Sequence, residues 1–246
     1  CAIFRELQLP IWLPVDVSNN TFLYAVANTY VVTGYLHAVC GHLSVDMLIQ
    51  SYLLYCATQH RLIKFKQENI EKYFKKKTKR VSHETTTEGL LQKKIYDQII
   101  QCIKVYDAVF GYAGEMEDMY SFGIFSQLFV VSLIFSICAY SLTKATSFVD
   151  ILYILSFTIP MILSMFLYCY PGTLIIEEST SIGEAIFKSP WYTYDKRTKI
   201  LLLTFVERTN KPIKVTVGKL VDLSLETFVL IMNRSYSLIA VLQNFY

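Results

Sequence analysis

The sequence predicts an all-α membrane protein, a bundle of four transmembrane helices with cytoplasmic helical extensions. Three observations carry that reading. Of 246 residues, 53% are hydrophobic and only 17% charged, with a mean hydropathy of +0.37, which is too apolar for a soluble domain. Two stretches, 119–143 and 151–176, hold 25 and 26 residues without Asp, Glu, Lys or Arg, and each is long enough at about 1.5 Å per residue to cross a hydrocarbon core. The charges are also segregated along the chain: the formal balance is only +3, from 23 Lys+Arg against 20 Asp+Glu, but the basic residues fall in two blocks between apolar stretches.

Residues 1–20 read as an extracellular loop, and 21–57 as a transmembrane helix with a cytoplasmic extension. Within its apolar part, 21–49, Asp46 is the only formal charge, and Tyr24, Tyr30, Gly34, Tyr35 and Gly41 suit helix packing in lipid. Residues 58–88 form a basic cytoplasmic loop, with Lys75-Lys76-Lys77-Thr78-Lys79-Arg80 as a solvated face or a contact for anionic lipid. Val81-Ser82-His83-Glu84-Thr85-Thr86-Thr87 is polar and unpatterned, and reads as a flexible link. Over 89–143 a cytoplasmic helix, with Leu91, Ile95, Ile99, Ile103, Tyr106 and Phe110 on one face, continues into the second span.

Residues 144–150 are too short for anything but an extracellular turn, so the spans on either side run antiparallel. The third span is 151–176, and Pro160 inside it is expected to kink the helix or to be tolerated by neighbouring groups. Residues 177–224 read as a cytoplasmic helical region, with separate helices at 181–187 and 195–207. The crowding of Ile200, Leu201, Leu202, Leu203 and Phe205 predicts contact with neighbouring subunits. The last span, 225–246, is apolar apart from its first-turn Glu226 and from Arg234, for which a carboxylate or a backbone carbonyl near the inner mouth is the expected partner.

Direction follows from the Lys and Arg count, because the richer side is normally cytoplasmic. Residues 61–94 carry eleven and 177–226 carry eight, whereas 1–20 hold only Arg5 and the turn only Lys144. The C-terminus then lies outside. Asn19-Asn20-Thr21 is a glycosylation sequon on that outer side, with Asn19 the acceptor; Asn233-Arg234-Ser235 lies within a span and is discounted. The chain starts at Cys1 without a signal-peptide pattern and is expected to be part of a longer protein.

Catalytic and metal chemistry find little support. The six cysteines have no CxxC spacing and no arrangement with histidine that suggests a zinc site, so they read as isolated reduced thiols; no cofactor, metal or nucleic-acid partner is expected. His42 and Asp46 superficially match the His-Asp pair of a membrane acyltransferase, but no Gly-rich phosphate loop or GxSxG elbow accompanies them, and a packed His42 is the simpler expectation.

Spacing defines two further faces and one stripe. Tyr24, Asn28, Val31 and Tyr35 share a face of the first span, and Tyr153, Phe157 and Pro160 share one on the third. On the last span Asn233, Ser237, Ala240 and Asn244 form a small or polar stripe, which suits a water-filled conduit or close helix packing, while Leu230, Leu238, Val241 and Leu242 lie largely elsewhere.

An ordered set of motifs resembles the insect odorant receptor family. Leu9-Pro10-Ile11-Trp12-Leu13-Pro14-Val15-Asp16 looks like that family's loop before its fourth span, with Asp46 and Gln59 following in place. Tyr168-Cys169, Gly172, Glu178-Ser179, Ala185-Ile186-Phe187 and Ser189-Pro190-Trp191-Tyr192 keep its order, as do Lys211-Pro212, Gly218, Ser224-Leu225-Glu226-Thr227-Phe228 and Ser235-Tyr236-Ser237. Tyr96-Asp97 departs from it, near where many members carry a histidine.

The resemblance implies a seven-span subunit of which this chain holds spans four to seven. It implies an odorant-specific subunit that joins a coreceptor, as a heteromer of four subunits, in an odorant-gated non-selective cation channel at the plasma membrane of olfactory sensory neurons. It makes Tyr24, Asn28, Val31, Tyr35, Tyr153 and Phe157 candidates for binding a volatile ligand, with helix packing as the alternative. It places the narrow part of the pore near Ile239, Ala240 and Gln243. The coreceptor itself is a poorer match, because its insertion between the fourth and fifth spans is longer than 59–89 allows. Rival readings are a gustatory receptor of the same superfamily, a metabotropic receptor or a membrane enzyme; the external C-terminus and the missing Asn-Pro-x-x-Tyr motif oppose the metabotropic form.

Overall fold

The computed structural model describes residues 21–78 and 84–244. Its elements are α1 (Thr21–Thr78), α2 (Glu84–Lys144), α3 (Phe148–Lys188), a 3-10 turn (Trp191–Thr193), α4 (Lys196–Thr209), the strands β1 (Thr216–Val217) and β2 (Val221–Asp222), and α5 (Leu225–Asn244). The chain divides into two compact units, Cys1–Ser51 and Tyr52–Tyr246.

In the first unit the helical residues from Thr21 onward satisfy their hydroxyls locally: Thr29 donates to the Ala25 carbonyl at 2.8 Å and Ser44 to that of Cys40 at 2.7 Å. His42 is not packed as expected. Its side chain is exposed, with Nδ1 3.6 Å from the buried carboxylate of Asp46 one turn on, because position 42 lies on the outward side of the helix.

The second unit is organised by two helical seams. On α1, Leu53, Cys56, His60, Ile63, Gln67 and Ile70 are buried; on α2, Ile95, Ile99, Cys102, Tyr106, Val109, Ala113 and Met116 are. Both sets step by three and four, the repeat of about 3.5 residues that keeps one seam against a partner helix. The stripe therefore runs through Cys102 and Val109, whereas the predicted Ile103 is half-buried and Phe110 is exposed. α2 also begins earlier than its sequence suggested: Glu84–Thr87 are helical, while Val81–His83 lie outside the described residues.

α3 is one helix through Pro160 and Pro171, so residues 181–187 are its last turns and not a separate helix. Its burial is one-ended: Met165, Tyr168, Cys169, Ile175, Ile182 and Ile186 are buried, and nothing N-terminal of Met165 is. α4 begins at an Asp195 cap whose carboxylate accepts from the Thr198 amide at 3.2 Å. It lies tightly on α3, where a Cβ at Gly183 would come within 3.2 Å of the Thr209 hydroxyl. The fold is all-α as expected, and between α4 and α5 the region read as helical over 177–224 includes a short antiparallel hairpin at 213–223, pairing Thr216 with Asp222 and Val217 with Val221.

Among the described residues, α2 over Gly89–Lys144 and α3 contain 18-residue windows of mean hydropathy 2.1 and 2.0, long and apolar enough to cross a membrane. Only 17% and 11% of those windows are buried within the chain, unlike the core helix of a soluble protein. Of the other two spans read from sequence, α1 holds no such window among its described residues, because Asn28, His37 and His42 interrupt it. Hydroxyls in the apolar stretches bond to carbonyls three or four residues back, as Ser132 does to Phe129 and Thr158 to Ile154, which satisfies them without water.

Candidate functional site

The residues singled out for ligand binding belong to both units and are placed separately. On α1, Tyr24 and Asn28 are half-buried, Val31 is buried and Tyr35 is exposed. The Asn28 side-chain oxygen is buried without a hydrogen-bond partner among the described residues. On α3, Tyr153 and Phe157 are exposed at 77% and 53%, beside Val149 and Leu152, so the N-terminal half of this helix presents an uncovered aromatic and aliphatic surface.

On α5 a packed face and an open face separate. Thr227 and Ser235 are buried, and the Ser235 hydroxyl lies 3.5 Å from the Ser132 carbonyl of α2. Asn233, Arg234, Tyr236 and Ser237 are exposed, which leaves Asn233 and Ser237 on one open stripe; Ser237 donates to the Asn233 carbonyl at 3.0 Å. Arg234 lies on this open side and makes no ion pair among the described residues. The side chains of Ile239, Ala240, Gln243 and Asn244 lie outside those described, and so does Asn19.

Sequence reasoning missed the way α5 is anchored. The hairpin turn has Gly218 at φ 62° and Lys219 at φ 56°, left-handed at both central positions as a type I′ turn requires. From β1 the Thr216 amide donates to the Glu117 carboxylate of α2 at 3.2 Å, and the Thr216 hydroxyl donates to its other oxygen. Ser121, one turn along α2, donates to the Thr216 carbonyl at 3.2 Å and accepts from the Gly218 amide at 2.7 Å. Beyond the hairpin, Ser224 caps α5 by accepting from the Thr227 amide at 3.3 Å, the Thr227 hydroxyl donates to the Asp222 carbonyl at 2.7 Å, and the Leu225 amide donates to Thr173 of α3 at 2.8 Å. A signal for this hairpin was present: Ile213, Val215 and Val217, then Val221 and Leu223, alternate about Gly218-Lys219.

The motif residues have concrete roles in this layer. A Cβ on Gly172 would fall 2.0 Å from the Leu223 carbonyl oxygen, so only glycine admits the approach of α3 to the hairpin. Glu178 lies between Lys64 at 3.4 Å and Arg61 at 4.0 Å, tying α3 to α1. The Ser179 hydroxyl accepts from the buried Ile213 amide at 3.2 Å. Lys214 bonds the Asp222 carboxylate across the outer side of the hairpin, which raises its pKa. The His60 ring lies tilted against Tyr106, with centroids 5.4 Å apart, and Tyr106 meets Phe205 of α4 edge-on at 5.5 Å. Neither nitrogen of the fully buried His60 ring has a partner among the described residues, and burial lowers its pKa from 6.5 to about 4.

Comparison with known proteins gives these features a family. The chain is 26% identical to odorant receptor Or1 of Anopheles gambiae, over 98% of this chain and 60% of that protein. It is 22% identical to odorant receptor 67c of Drosophila melanogaster, over 98% and 56%. It thus spans about three-fifths of the length of these relatives. In fold it is similar to the insect olfactory receptor OR5 of Machilis hrabei in complex with eugenol, with a TM-score of 0.75 at 14% identity over 96% of this chain and 56% of that one. The structure of OR5 alone gives 0.73 over 94% and 55%. The family model described as 7tm Odorant receptor matches residues 2–236, and the chain accordingly belongs to that family of membrane receptors.

Proposed function

We propose that the chain is the C-terminal part of an odorant-specific receptor subunit which, with a coreceptor, forms an odorant-gated non-selective cation channel in the plasma membrane of olfactory sensory neurons. The family match over residues 2–236 is the observation that carries this reading. In it, α1, α2, α3 and α5 each cross the bilayer, with residues 1–20, the turn at 144–150 and the C-terminus outside and the basic 58–88 and 177–224 inside; the Lys and Arg distribution supports that direction.

The residues offered to a volatile ligand are Tyr24, Asn28, Val31 and Tyr35 on α1 and, separately, Tyr153 and Phe157 on α3, which supply apolar area and a few polar atoms. The exposed side of α3 is a surface that further helices would complete into a pocket. Binding favours an arrangement in which α5 opens a conduit past Asn233, Ser237, Ile239, Ala240, Gln243 and Asn244; apolar side chains gate by excluding water, and amides contact a partly hydrated cation. Asn19 is the external glycosylation site, and anionic lipid meets the basic cytoplasmic segment.

The test is whole-cell current from cells expressing the full-length parent of this chain, with and without the insect coreceptor, across an odorant panel under G-protein blockade. Fast cation current that needs both subunits and survives the block is expected. Responses abolished by the block would reject the channel mechanism.

A further inference from the structure

We infer that Glu117 is a positioning residue for gating: through the β1–β2 hairpin its carboxylate fixes where α5 begins, so that a displacement of α2 reaches the pore helix through this contact. The inference rests on the channel reading above. Thr216 lies 99 residues from Glu117 in sequence, yet both its backbone amide and its hydroxyl donate to that one carboxylate. Bonds to an ionised acceptor are the stronger kind, and two on one residue fix orientation as well as distance. Ser121 adds a second point one turn away, and its backbone carbonyl also accepts from the Gly218 amide at 3.3 Å.

The coupling is stiff because each link is short. The strands are two residues long, the turn at Gly218 lies against Phe125, where a Cβ would come within 2.8 Å of the ring, and only Leu223 and Ser224 separate β2 from α5. On the far side α5 is caught by Thr173 of α3. α5 therefore starts at a joint between α2 and α3, while its Asn233–Ser237 stripe is open. The Lys214–Asp222 pair occupies the exposed side of the same hairpin and provides a control that does not touch α2.

The experiment is a double-mutant cycle in the full-length parent co-expressed with the coreceptor, using Glu117→Ala, Thr216→Val and both together, with Glu117→Gln and Lys214→Ala alongside. Each receptor's half-maximal odorant concentration and maximal current are normalised to surface level. Glu117→Ala and Thr216→Val are each expected to shift one of these about fivefold or more, the double variant no further than the worse single one, and Lys214→Ala not at all. Glu117→Gln, whose amide oxygen still accepts, falls between wild type and Glu117→Ala. Wild-type behaviour of Glu117→Ala at normal surface level, or effects that multiply in the double variant, overturns the inference.

If Glu117→Ala does not reach the surface, hydrogen exchange on purified full-length Thr216→Val decides: protection of the Gly218 amide and of the first turn of α5 falls at least tenfold, and unchanged protection overturns the inference. A wild-type parent that is silent to every odorant ends the channel reading and the gating role with it. The exchange measurement then still tells whether the carboxylate holds the hairpin, so the two failures are distinguishable.

Discussion

The two halves of α3 make an instructive contrast. From Met165 to Ile186 the helix is the spine of a packed layer, whereas from Phe148 to its middle turns no residue is buried and Phe148, Val149 and Tyr153 are more than 70% exposed. α2 divides in the same way, with a buried seam from Ile95 to Met116 below a window of mean hydropathy 2.1 that is 17% buried. The more polar half of each helix is thus the more buried one, the reverse of a soluble protein. In water the lower halves must hide their apolar seam against one another, while the upper halves meet lipid or further helices and have no cause to bury themselves within this chain.

Perturbing the packed half should unfold the protein, and perturbing the open half should leave it folded. The largest effect is expected from Gly172→Val, whose Cβ would collide with the Leu223 carbonyl; a loss of roughly 4 kcal/mol or more should appear as failure to reach the cell surface and a collapsed unfolding midpoint in detergent. Ile99→Ala removes a fully buried side chain from the α2 seam and should cost about 2–5 kcal/mol in the same assay.

His60 tests the seam through pH. Above about pH 6.5 the imidazole is neutral in both folded and unfolded chains and contributes no pH dependence. As pH falls from there toward 4 the unfolded chain takes up a proton that the buried ring refuses, so stability declines across that window by up to about 3 kcal/mol and levels off below it. His60→Leu should remove this slope in urea or thermal titrations of the purified protein.

The smallest stability effect is expected from Phe157→Ala on the open half of α3, within about 0.5 kcal/mol of wild type. Its predicted consequence lies in the odorant concentration–response curve. A folding defect in Phe157→Ala, or tolerance of Gly172→Val, would break the contrast between the halves.

How much was legible follows from the range over which each feature is encoded. The apolar runs at 119–143 and 151–176 announce helices locally, and α2 and α3 contain them. The buried stripe of α2 was legible only roughly: reading from Leu91 at 3.6 residues per turn leads to Ile103 and Phe110, whereas a helix held against a partner follows a 3.5 repeat and buries Cys102 and Val109. Five residues of strand alternation around Gly218 were outweighed by the helical context on either side. Tyr24, Asn28 and Val31 could be grouped by spacing, but spacing does not tell a ligand face from a packing face.

By itself the sequence determined the class of the molecule, its two longest apolar stretches and the family to which it belongs, because these depend on composition, on ordered motifs and on periodicity within single helices. Only the tertiary structure decided that Glu117 and Ser121 meet Thr216 and Gly218, that Gly172 admits the Leu223 carbonyl, and that His60 is sealed beside Tyr106. Those contacts join residues about 50 to 100 positions apart, and no local propensity specifies a partner at that distance; it is set when the buried faces of several helices are satisfied together.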